Sequence, residues 1–246
     1  MCKIPSDAQT DAMVDRDEQA PGTEKVEIAG EEREERVGEL SRLISLSDGV
    51  FAFAMTLLVV SIEIPDLSDS DAKGVLARDL WDTWPQVISY VIGFLVIAFM
   101  WGSHRRTFAR IRDYDDTLVK LNILLLMFVA FLPFPTGILG EYGDLAIPAV
   151  FYAVILLTIS VLFIVIIDHL DQHRELMTRR GKGFDFPRAK TRHLVTAGIF
   201  LLSIPAAFAF PGFGQLIWIL LAFNHKISEV LLPHLPGRFH ERPGQA

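Results

Sequence analysis

Six stretches of the chain are apolar almost without interruption, and each approaches the roughly 20 residues that a helix needs to cross the hydrocarbon core of a bilayer. They run over about 43–64, 86–104, 118–139, 146–167, 193–210 and 212–232. The apolar residues come in blocks instead of amphipathic stripes, the pattern of helices whose solvent is lipid. The first block is the least uniform, carrying Ser45, Ser47, Asp48 and Thr56. The fifth is short, contains Pro205, and meets the sixth across the turn Pro211-Gly212-Phe213-Gly214, so the two read as a helical hairpin. No repeat relates the two halves of the chain, which gives little support to a transporter built from inverted halves.

Positive charge sorts the loops, because Lys and Arg resist translocation and mark the cytoplasmic side. Arg33, Arg36 and Arg42 precede the first block, and Arg105, Arg106, Arg110, Arg112 and Lys120 separate the second from the third. Arg174, Arg179, Arg180, Lys182, Arg188, Lys190 and Arg192 lie between the fourth and fifth, and Lys226, Arg238 and Arg242 lie at or beyond the end of the sixth. The loop after the first block has only Lys73 and Arg78, and the loops after the third and fifth have none. Both termini are therefore expected in the cytoplasm, with the chain in a bacterial inner membrane. Trp81 and Trp84 fall at the expected outer interface and Trp101 near the inner one.

Composition agrees with this reading. Of 246 residues, 51% are hydrophobic, too many for one soluble domain. The net charge of -7 is concentrated in residues 1–36, which hold eleven Asp/Glu against five Lys/Arg and leave about -1 for the rest. The chain is accordingly read as a disordered acidic cytoplasmic tail over 1–38, helical at most near Glu31–Arg36, a membrane domain over 39–232, and a cytoplasmic tail over 233–246. The acidic tail has no apolar core and is neither a signal nor a transit peptide. Cys2 is the only cysteine, which excludes an internal disulfide and a Cys-based metal site, and no apolar segment precedes it as in a lipoprotein.

The chemistry sits on the first block. An Asp two turns inside a membrane helix costs on the order of 2.5–3.5 kcal/mol on insertion scales, so Asp48 must face protein or water and find donors. An inward-to-outward first helix and a returning second one place Asp48 at the depth of Trp101, His104 and Arg105, with Asn122 at the start of the third. A polar cluster of Arg42, Ser47, Asp48, His104 and Asn122 is expected to pin these helices together, since interhelical polar pairs in membranes commonly act as glue. Further out, Phe53, Thr56, Leu57, Val60 and Ile64 fall at i, i+3, i+4, i+7 and i+11 on one stripe. Such a stripe is more often a lipid-facing surface than a pore lining.

The segment Arg42-x-x-x-Leu46-Ser47-Asp48-Gly49-Val50-Phe51-Ala52-Phe53-Ala54-Met55-Thr56 closely resembles the Arg-x-x-x-Phe-Ser-Asp signature that opens the first helix of the transmembrane protein 175 potassium channels, in their prokaryotic branch. Trp101-x-x-His104, Leu121-Asn122, Pro133-Phe134-Pro135-Thr136 and the six-block count extend the resemblance over about residues 40–232. It implies an all-α membrane protein of six transmembrane helices per subunit, assembled as a homotetramer whose first helices line a central pore. It assigns the narrowest hydrophobic ring to Phe53, further pore positions to Thr56, Leu57 and Val60, and a bracing network to Arg42, Ser47, Asp48, Trp101, His104 and Asn122. The implied activity is a potassium or weakly selective monovalent-cation channel, with lipid, its own copies and permeant K+ as partners, and with no cofactor, metal or nucleic acid. Gating would be dewetting at the apolar ring, with the Thr56 hydroxyls replacing part of the hydration shell.

Two positions depart from the family pattern. Leu46 stands for the signature Phe, a swap expected only to loosen packing, and Phe53 stands where Ile or Leu is usual. Four phenyl rings would fill such a constriction, although rings swing aside and their faces attract cations. Glu63 and the loop acids Asp66, Asp69, Asp71, Asp79 and Asp82 could concentrate cations at the outer mouth or form an ordinary solvated surface. Asp168-His169-x-Asp171-x-His173 reads as a polar helix end more readily than as a metal site. No phosphate-binding glycine loop, nucleophile elbow or catalytic dyad is present, so an enzyme is not expected. Two rivals stay open: an ion- or proton-coupled transporter using Asp48 and His104 as a relay, and a non-conducting membrane scaffold.

Overall fold

The computed structural model describes residues 21–62, 81, 83–179, 181–210 and 218. It divides into two units, one up to Glu39 and one from Leu40 onward. Helix α1 (Pro21–Leu57) supplies helix to each and continues as a 3-10 turn over Leu58–Ser61. Its start lies upstream of the Glu31–Arg36 stretch where helix was expected. Proline is tolerated in the first helical turn. Residues 1–20 and the C-terminal tail, 233–246, lie outside the described residues.

The second unit is helical. After α1 come α2 (Trp84–Phe108), α3 (Asp116–Phe131), α4 (Pro133–Glu141), α5 (Ala146–Gln172) and α6 (Phe186–Ala209). Among the described residues five stretches are long and apolar enough to cross a membrane: Glu34–Ser61, Trp84–Phe108, Asp116–Glu141, Ala146–Gln172 and Phe186–Ala209. They match the first five blocks of the sequence. The sixth block, 212–232, lies outside the described residues except Trp218, whose buried ring stands 4.9 Å from that of Tyr152. The all-α membrane class is therefore the observed one.

The third block is two helices in one span. Pro133 and Pro135 lack the N–H groups that an unbroken ladder needs, and their rings crowd the preceding turn. Leu132 accordingly ends α3 and starts α4. At the break the Val129 carbonyl, which Pro133 has no N–H to serve, accepts from Leu132 N–H at 3.1 Å, and the Leu132 carbonyl accepts from Thr136 N–H at 3.1 Å and from Thr136 Oγ1 at 2.8 Å.

Small residues then let α4 approach its neighbours closely, the usual packing device where lipid removes the hydrophobic drive between helices. A methyl group added at Gly93 of α2 would come within 2.9 Å of Thr136 Cγ2, and one at Gly140 within 3.2 Å of the Gln86 Cα. One at Gly137 would meet Ser61 Cβ at 3.0 Å. Helix α5 is the hub of the unit, burying Tyr152, Leu156, Ile159, Phe163, Ile166 and Leu170, and packs against α3, α4 and most extensively α6.

At one end the inter-helix loops are tied together. Ile111 and Met177 form an isolated antiparallel bridge, and Arg112 N–H donates to the Leu176 carbonyl at 2.9 Å. Asp115 caps α3 by accepting from Leu118 N–H at 2.9 Å, and its second oxygen lies 2.8 Å from His169 Nε2. Burial raises the carboxyl's affinity for a proton, but the Leu118 bond and His169 outweigh it and hold Asp115 below its ordinary range.

Two predictions follow from these contacts. Gly93→Ala is expected to destabilise the purified protein by ~1–3 kcal/mol, since Thr136 is itself pinned by its hydrogen bond, whereas Gly198→Ala, with nothing within 4 Å, should be neutral or stabilising. Thermal unfolding of the two variants side by side in one detergent checks this, and equal effects would show that the α2–α4 approach is not tight. For Asp115, a depressed carboxyl contributes stability above the pKa of an unfolded Asp, and that stability is lost as pH falls through the folded value. Asp115→Asn should therefore lower stability at neutral pH and flatten its decline on the acid side, read from unfolding midpoints across a pH series.

Candidate pore-lining helix and its polar brace

Helix α1 has two faces, and the polar network decides which one turns inward. Counting about 100° per residue from Ser47, Phe51 and Ala54 fall within about 40° of it, and all three are fully buried. Leu58, where the 3-10 turn begins, is buried on the same side. On the opposite side Gly49, Phe53 and Thr56 are exposed, Phe53 at 62% and Val60 beyond them at 74%. Leu57 lies on the flank and is half-buried. The four candidate pore residues thus do not form one uniform stripe: Phe53, Thr56 and Val60 share the free face, and Leu57 borders it. Ile64 lies outside the described residues.

The buried side is held by a run of hydrogen bonds across three helices. His104 Nε2 and Asn122 Oδ1 are 2.8 Å apart, Asn122 Nδ2 donates to Ser47 Oγ at 3.0 Å, and Ser47 Oγ donates to the Leu43 carbonyl at 2.9 Å. For the Asn122 oxygen to accept, His104 carries its proton on Nε2. The imidazole is sandwiched, stacked on Phe108 with centroids 4.0 Å apart and tilted against Phe51 at 5.4 Å. Beside this run, Trp101 Nε1 donates to Asp48 Oδ1 at 2.7 Å, and the Arg105 guanidinium lies 5.5 Å from the centre of the Trp101 ring. Asp48 therefore receives a charge-assisted hydrogen bond from α2, the partner that its place in an apolar helix demands.

The structure brings together Ser47, Asp48, Trp101, His104 and Asn122. Arg42 is exposed, and none of these hydrogen bonds includes it. Leu46 is 54% exposed on the free side of α1, outside the described core of the subunit. Phe51 and Phe108 escaped the sequence reading because an aromatic residue in an apolar block carries no local sign that it will stack on an imidazole. Toward the outer end, Thr56 Oγ1 donates to the Phe53 carbonyl at 2.8 Å and Ser61 Oγ to the Leu58 carbonyl at 2.7 Å. The stacked Trp81 and Trp84 rings are 6.3 Å apart and both are exposed, as interfacial tryptophans are. Glu63 and the acids Asp66, Asp69, Asp71, Asp79 and Asp82 lie outside the described residues.

The Asp168–His173 segment is occupied by ion pairs. Lys190 reaches Asp168 and, at 3.4 Å, Asp171, while Arg174 pairs with Asp171. The His169 and His173 rings are tilted against each other with centroids 4.3 Å apart, and His173 Nδ1 is 3.0 Å from the His169 carbonyl.

Removing the centre of the brace should be more damaging than altering its edge. Asn122→Ala leaves Ser47 and His104 with buried polar atoms that lose a partner, an expected loss of ~1–3 kcal/mol. Asp48→Asn retains an acceptor for Trp101 and should cost less. Denaturation of the purified variants decides it, and a harmless Asn122→Ala would mean that the run is not what holds α1.

Comparison with known proteins places this arrangement. The sequence model of a family described as endosomal/lysosomal potassium channel TMEM175 matches residues 42–133, which include α1 from Arg42 onward, all of α2 and all of α3. A potassium channel of Streptomyces collinus is 32% identical over 211 residues, which cover 80% of this chain and 96% of that protein. The human endosomal/lysosomal proton channel TMEM175 is 23% identical over 207 residues, covering 82% of this chain and 40% of the human one. Among solved structures, a lysosomal potassium-selective channel TMEM175 homologue from Chamaesiphon minutus superimposes with a TM-score of 0.66 at 29% identity, over 78% of this chain and 98% of that one. With a relative matched over nearly its whole length, and with the same helical fold, this multi-pass membrane protein belongs to the TMEM175 family of ion channels, which are not enzymes.

Proposed function

We propose that the chain is one subunit of a potassium-conducting channel, a homotetramer in which the free face of α1 lines the pore and Phe53 forms its narrowest ring. The observation that carries this reading is the division of α1 into two faces. One is tied into the subunit through Ser47, Phe51 and Ala54; the other, with Gly49, Phe53, Thr56 and Val60, is exposed. Closed symmetry is the natural way for identical subunits to cover such a face, and a ring of one helix per subunit leaves a central axis. The brace at Asp48 would fix the rotation of α1 while its outer half carries the constriction.

Dewetting at the Phe53 ring would close the pore, and tilting or rotation of the helices would wet it. One turn outward, Thr56 hydroxyls could stand in for part of the hydration shell and favour potassium over sodium. Potassium is preferred over proton as the permeant ion because the relatives matched along most of their length, from Streptomyces collinus and Chamaesiphon minutus, are named potassium channels. Proton conduction is the second reading, favoured by the names of the vertebrate relatives, which the chain matches over 40% of their length or less. The Arg- and Lys-bearing loops would face the cytoplasm of a bacterial cell, with both termini inside and the channel in the inner membrane.

The test is flux through the purified chain in liposomes, driven separately by a potassium gradient and by a pH gradient. Phe53→Ala should raise potassium flux at least about tenfold if the ring is the barrier, and Thr56→Ala should shift the potassium-to-sodium ratio. Flux that follows only the pH gradient would favour the proton reading. Silence in the native chain and in both variants, with the protein folded, would reject the pore.

A further inference from the structure

The free face of α1 extends inward past Gly49. Counting about 100° per residue, Arg42, Ser45, Phe53 and Thr56 all fall within about 40° of Gly49, and all five residues are exposed. At about 1.5 Å per residue, the stripe that carries Phe53 continues inward for about 16 Å to the guanidinium-bearing position 42. Between Leu40 and Ser61 the only charged residues are Arg42 and Asp48. Asp48 lies about 120° from Arg42 around the helix and accepts from Trp101 Nε1 at 2.7 Å. Arg42 is thus the one charge on this exposed stripe.

A bracing role does not account for this placement. Ser47 and Asp48 are bonded to α3 and α2, whereas the described residues give Arg42 no hydrogen-bond or ion-pair partner. A brace engages its groups; an exposed and unbonded charge acts on what passes it. Where the free face lines a pore, symmetry repeats Arg42 once per subunit, and the charge closes into a ring at the cytoplasmic entrance. Positive charge at an entrance lowers the local concentration of cations, the reverse of an acidic funnel that speeds their capture. That field reaches about one Debye length, about 30 Å in 0.01 M salt but about 3 Å in 1 M.

We propose that Arg42 limits entry to the channel: a ring of its guanidiniums at the inner mouth holds back cations arriving from the cytoplasm, so that outward current is restrained more than inward current. The inference rests on the pore reading of the free face and adds to it a determinant of direction, set apart from the barrier at Phe53. The charge of Arg42, and not its packing, carries the role, because the side chain is exposed.

The experiment is current through inside-out membrane patches holding the full chain, with inner potassium fixed while ionic strength is set by the salt of a bulky organic cation. Phe53→Ala serves as background if the native channel is quiet. At low ionic strength Arg42→Gln should raise outward current about threefold or more and inward current less, with Arg42→Glu further still and Arg42→Lys unchanged. At high ionic strength the variants should converge, because screening removes the ring's field. Raising ionic strength should also lift outward current in the channel that keeps Arg42, a readout that requires no Arg42 variant to fold. Outward current that does not rise in that channel, or an Arg42→Gln effect equal in both directions and at every ionic strength, would overturn the inference and leave the pore reading standing. Silence even with Phe53→Ala would reject the pore and this inference with it.

Discussion

The structure depends on how buried polar groups are satisfied where water is absent. In an aqueous core a lost hydrogen bond is partly replaced by solvent, but within a bilayer an orphaned amide or carboxylate has no such recourse. Ser47, Asp48, Trp101, His104 and Asn122 must therefore arrive together, and their joint requirement sets the rotation of α1. Ser47 reaches Asn122 only when its face points into the subunit, and that rotation carries Phe51 and Ala54 inward with it. Phe53, Thr56 and Val60 are left facing out as a consequence. A polar run at one end of a helix thus decides what its outer half presents.

Away from α1, cohesion comes from shape. The subunit cannot rely on the hydrophobic effect to draw its helices together, since lipid tails are as apolar as leucine. Close approach at Gly93, Gly137 and Gly140 supplies the van der Waals contact instead, and the break at Leu132 lets α4 turn toward α2 and the end of α1. Thr136 joins the two devices: its N–H and hydroxyl both bond the Leu132 carbonyl at the break, while its methyl group fills the space that Gly93 leaves open.

Among the described residues, one end of the unit carries ion pairs in its loops. Lys190 with Asp168 and Asp171, and Arg174 with Asp171, hold opposite signs against each other, and Asp115 bonds His169, where helices leave the apolar layer.

Much of this was legible in the order of residues. Long apolar blocks show membrane helices because the period of an amphipathic helix is lost when the lipid side and the protein side are both apolar, and an isolated Asp in such a block announces that it needs a partner. The approximate depth of Trp101, His104 and Asn122 also follows from counting residues up one helix and down the next. What counting left undecided was rotation and closeness. It could not separate Leu57, on the flank of α1, from Phe53 and Thr56 on its free face, because which side turns inward is set by bonds to residues 53 to 75 positions away. It could not show that Phe51 and Phe108 enclose His104, since that enclosure joins separate helices. The sequence by itself determined which segments are helical and which polar groups had to be satisfied; the packing of the helices decided which partners satisfied them, because hydrogen bonds and van der Waals contact act over a few ångströms that only the folded chain spans.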